Sequence, residues 1–170
     1  MDPMLLLVRL LHVGLGVFWA GALIFNTLFL LPAIRDAGPE GAKVAAGLMR
    51  RRFLDVLPAV AILTVLSGFW LYWRVSAGFS QGYMRSRTGM AYGLGGVAAL
   101  LALGLGLAIV RRSMLRAASL SQAAALASGP ERDAQLATAQ ALRARAAAAG
   151  RIVAGLLALT AATMAVGRYL

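Results

Sequence analysis

No stretch constrains this chain more than Leu10 to Ile34, LLHVGLGVFWAGALIFNTLFLLPAI, which runs 25 residues without Asp, Glu, Lys or Arg. As a helix, an uncharged run of that length crosses the hydrocarbon core of a bilayer. It holds the only histidine of the chain, His12. An imidazole in hydrocarbon is costly without a partner, so a lone one marks a site by default. At about 100° per residue His12, Gly16, Trp19, Leu23 and Asn26 share one face, and Arg9 begins that stripe one turn earlier. Val17 and Leu28 point elsewhere. The pattern predicts a helix that forms one wall of a site inside a membrane bundle.

The rest of the chain supports that environment. Of 170 residues, 61% are hydrophobic and 14% charged, more apolar surface than a soluble domain of this size hides. The absence of cysteine excludes disulfides, zinc–thiolate sites and cysteine nucleophiles. A single histidine excludes a two-histidine metal site, and a bis-histidine haem, within one protomer. No Gly-rich phosphate loop follows a strand. The net charge of +11 comes from 16 Arg and one Lys placed between apolar runs, where it sets orientation and meets anionic lipid; no nucleic-acid motif accompanies it. The opening MDPMLLLVRL reads as a retained helix capped by Asp2, not as a removed signal peptide.

Four transmembrane helices are expected, at about 4–31, 53–73, 88–110 and 150–168. The segment from Pro32 to Arg52 reads as a loop with a short helix. Asp55 lies in the first turn of the second span, where the helix dipole and Arg51 or Arg52 favour a carboxylate. Trp70, Tyr72 and Trp73 close that span as an interfacial belt. Glycines 89, 93 and 96 suit close helix contact in the third. Residues 111–149 are Ala-rich and break once, at Ser128-Gly129-Pro130-Glu131, which fits a capping box. The expected fold is therefore all-α. It is an integral membrane four-helix bundle, one domain over 1–170, with a cytoplasmic helical hairpin between the third and fourth transmembrane helices. Twelve basic residues in the first and third loops against five on the other side put both termini outside, and the expected location is the bacterial inner membrane with both termini in the periplasm.

His12 lies about 10 Å inside the outer end of its helix at 1.5 Å per residue. Leu66 and Ser67 of the second helix, Met90 and Tyr92 of the third and Met164 of the fourth share that depth. Imidazole with thioether is ligand chemistry for haem iron or Cu(I), which makes His12, Met90 and Met164 candidate cofactor ligands and His12 the metal ligand. Arg9, Trp19, Asn26, Ser67 and Tyr92 are the candidate supporting residues. Equally, the methionines can be core filler, and His12 can hydrogen-bond Ser67 or a backbone carbonyl across helices or relay protons. Trp19 and Asn26 read as packing and interhelical hydrogen bonding.

The residues His12…Trp19-Ala20-Gly21, then Arg51-Arg52-Phe53…Pro58…Leu66-Ser67-Gly68…Trp70-Leu71, resemble two bacterial membrane families, the copper-resistance CopD-like family and the HemJ-type protoporphyrinogen oxidases. Met164-Ala165-Val166-Gly167-Arg168-Tyr169 also looks like the close of small CopD-like proteins. The resemblance covers the first two spans and the last. The HemJ type implies a haem b ligand at His12, but its third-helix lysine has no counterpart, since the sole Lys43 lies in a loop. The CopD type implies copper handling near the outer face through His12 with Met90 or Met164. Two functions are expected. One is a small membrane protein holding haem b or copper through His12, alone or as a homodimer sharing the group. The other is a cofactor-free, non-catalytic accessory subunit of a larger membrane energy-transducing complex.

Overall fold

The computed structural model describes residues 2–170. Those residues are helical almost throughout, with no strand among them. Four continuous helices are long and apolar enough to cross a membrane: Pro3–Asp36, Phe53–Val75, Arg87–Ala124 and Gly129–Tyr169.

The first comprises α1 (Pro3–Phe25), a π turn over Asn26–Leu30, and α2 (Leu31–Asp36). Asp2 caps it, accepting from the Met4 N–H at 3.0 Å, and its other oxygen takes Arg74 at 3.0 Å. The helix does not stop at Pro32 as the sequence suggests. Proline lacks an N–H and crowds the carbonyl one turn back, and here a widened turn precedes it, with the Leu31 N–H reaching back to the Asn26 carbonyl. The expected loop is thus mostly helix: α2, then α3 (Gly38–Arg50). The chain enters α4 (Phe53–Val75) through Arg52, held in the left-handed region at φ 56°.

After a short turn and α5 (Gln81–Arg85) comes α6 (Arg87–Leu105), capped by the Ser86 hydroxyl accepting from Gly89. A second π turn, Gly106–Arg111, joins it to α7 (Arg112–Ala124). The last helix, α8 (Gly129–Val166), is unbroken over 38 residues. The anticipated capping box does not form. Ser128 makes no side-chain bond to the helix start, because Gly129 is left-handed (φ 59°) and carries the chain off the helix axis there; Glu131 instead accepts from Gln135.

α1 packs beside α4, α4 beside α6, α6 beside α8, and α8 back on α1, leaving α1 and α6 on a diagonal. The α1–α4, α6–α8 and α7–α8 seams are extensive, whereas α4 and α6 touch sparsely. Small residues permit the close seams: Ala61, Ala99 and Ala102 lie at the centre with Trp19, Val153 and Leu157. Ser113, Ala117 and Ala124 of α7 and Ala139 and Ala146 of α8 are likewise buried. Where lipid removes the hydrophobic drive between helices, such close van der Waals contact is the main source of association.

Candidate functional site at the α1–α4 seam

His12, Gly16, Trp19 and Leu23 line the face that α1 turns to the bundle. Gly16 takes Thr64 of α4, whose Cγ2 would lie 3.5 Å from a Cβ added there. One turn earlier the half-buried His12 ring sits on Gly68, where an added Cβ would come within 2.7 Å of the imidazole Cε1. No other residue leaves room for the ring at that height.

Two α4 groups fix the imidazole. Its Nδ1 lies 2.9 Å from the Thr64 carbonyl and 3.2 Å from Ser67 Oγ. The Ser67 hydroxyl donates its own proton to the Leu63 carbonyl at 2.7 Å. A carbonyl only accepts, and the hydroxyl proton is already spent, so the proton on Nδ1 belongs to the histidine. The neutral ring therefore keeps its lone pair on Nε2, which makes no hydrogen bond among the described residues. Histidines that bind metals are held in this way, one ring nitrogen donating to a carbonyl while the other faces the ligand.

The other proposed ligands lie elsewhere. Met90 is 55% exposed on α6, across the diagonal from α1. Met164 packs against Gly95 in the α6–α8 seam, its Cε 3.1 Å from where a Cβ would stand. The contacts that fix the imidazole come from Thr64, Ser67 and Gly68 of α4, and neither methionine is among them. Tyr92 lies against Gly167 in the last turn of the chain. Arg9 is exposed near Tyr83, whose phenol is lifted above its ordinary value by burial first and by Tyr92 and Tyr72 next, with Arg9 opposing. Trp19 is 4% exposed and belongs to the core. Asn26 makes no side-chain hydrogen bond among the described residues. Its neighbour Thr27 is the buried one, against Gly150 of α8.

Asp55 pairs weakly with Arg52 at 3.8 Å and closely with Arg111 at 2.8 Å. Arg111 also donates to the Leu54 carbonyl at 3.0 Å. Sequence reasoning placed Arg51 or Arg52 there and missed Arg111. The available signal was position: Asp55 and Arg111 both stand at the same end of their spans. Around the opposite end, Ser76 is fully buried and accepts from the Phe79 N–H, and Phe79 packs on Phe69 and Tyr72. Among the described residues no three His, Asp or Glu side chains gather as a metal cluster.

No protein-family model, no curated protein and no solved structure matches this chain.

Proposed function

We propose that this chain is a multi-pass membrane protein that binds haem b or copper through Nε2 of His12. The observation that carries the reading is the Nδ1–H···O=C bond to Thr64, with Gly68 against the ring: it fixes the tautomer and leaves one unshared lone pair. Copper or haem iron accepts such a nitrogen. The likeness of the first two spans to CopD-like and HemJ-type proteins supports the same position. The missing third-helix lysine speaks against porphyrinogen oxidation. Met90 is exposed and Met164 packs against Gly95, so the remaining coordination would come from outside the chain, most simply from His12 of a second copy.

The basic loops favour a bacterial inner membrane with both termini in the periplasm and the α7–α8 pair in the cytoplasm. In that frame His12 occupies the outer half of the bundle.

Absorption spectra of oxidised and dithionite-reduced protein in mild detergent, with elemental analysis, test the reading. A Soret band absent from His12→Ala assigns haem, and stoichiometric copper lost from the same variant assigns copper. Folded, colourless, metal-free protein that co-migrates with larger partners would overturn the proposal and favour the accessory-subunit reading.

A further inference from the structure

At the end of the bundle opposite the N-terminus, an apolar crevice of about 50 Å³ lies among α1, α4 and the end of α6. Trp19 forms part of its lining, with Leu57, Ala61, Ala102, Gly106 and Val110. Its mouth is different in kind. Arg111 stands there, bonded to the Leu54 carbonyl and to Asp55, with Arg52 on the far side of the same carboxylate. Arg50, Arg51 and Arg112 adjoin them in the chain, are exposed, and have no acidic partner among the described residues. One carboxylate thus stands among five guanidinium groups.

We propose that this crevice is a binding site for an anionic phospholipid, with acyl chain against Trp19 and headgroup phosphate among Arg52, Arg111 and Arg112. An apolar slot at membrane depth takes hydrocarbon, and a cationic rim with too few carboxylates takes phosphate, often in two-pronged guanidinium contacts. The second π turn, Gly106–Arg111, is what brings the two together: it widens the helix beside the slot and ends on the arginine at its mouth. This inference stands apart from the His12 reading.

The test uses tryptophan quenching. Trp70 and Trp73 lie at the other end of α4, so the Trp70→Phe, Trp73→Phe protein reports on Trp19 alone. It is reconstituted in phosphatidylcholine bilayers containing a minor fraction of lipid brominated on its acyl chains, either phosphatidylglycerol or phosphatidylcholine. Brominated phosphatidylglycerol is expected to quench Trp19 at several-fold lower content than brominated phosphatidylcholine. Arg111→Gln should weaken that preference by about fivefold, the usual contribution of one arginine near an anionic surface. Gly106→Leu is the second variant. Gly106 lines the slot and an added Cβ there meets nothing within 4 Å, so the leucine is expected to take up slot space while leaving every charge in place. It should abolish the preference. Equal quenching by the two lipids, or a preference that survives Gly106→Leu, would overturn the proposal.

Discussion

Gly68 is the residue on which the His12 geometry depends. A methyl group there would meet Cε1 at 2.7 Å, while Nδ1 is tied to the Thr64 carbonyl one turn earlier on the same helix. The ring cannot yield without lengthening that bond. Gly68→Ala is therefore expected to cost about 1–3 kcal/mol, the usual range for overpacking a close contact, and to lower bound haem or copper. Ser67→Ala is the contrasting change. The serine hydroxyl mainly serves its own helix through Leu63, and the Thr64 carbonyl remains, so cofactor content should stay near wild type. Thermal unfolding and cofactor stoichiometry on the two variants check the pair. Equal losses in both would mean that Ser67, not the carbonyl, positions the ring.

Between helices, the α6–α8 seam gives the sharpest contrast. Gly95 faces α8, where an added Cβ would stand 2.5 Å from Thr163 Oγ1 and 3.1 Å from Met164 Cε. Gly96, its neighbour, meets nothing within 4 Å. Gly95→Ala should destabilise by about 1–3 kcal/mol through overpacking. Gly96→Ala should stabilise by about 0.5–1 kcal/mol, since alanine is the better helix former. Unfolding midpoints in detergent measure both, and equal effects would contradict this seam. The helices themselves were legible in the sequence because a span must be uncharged over a fixed length. Their irregularities were not. A π turn adds one residue to a turn and leaves composition unchanged, so nothing in Asn26–Leu30 announced that burial would pass from the Asn26 stripe to Thr27. The same limit applies to the site. Counting residues inward from the helix ends placed His12 level with Ser67, Met90 and Met164, but depth fixes only one coordinate. Which way each side chain points is set by helix neighbours, and these put Ser67 beside the imidazole and Met90 on an outer face.

For the whole molecule, the proposed topology, with four spans and both termini outside as the twelve-to-five split of basic residues favours, predicts which positions a reagent outside the cell can reach. The chain contains no cysteine, so single cysteines report position without a background. Leu126, at the α7–α8 turn, is 93% exposed, and Tyr169, near the C-terminus, is 76% exposed. In intact cells a membrane-impermeant maleimide should label Tyr169→Cys and spare Leu126→Cys until the membrane is permeabilised. The reverse pattern would invert the topology and move His12 to the cytoplasmic half. Whether the imidazole itself holds the group is tested by replacing it from solution. His12→Gly opens a space between α1 and α4 that free imidazole fits, and haem or copper per chain is then measured with and without added imidazole. The group should be lost in the variant and return with imidazole. Full retention in His12→Gly without imidazole would rule out His12 as the ligand.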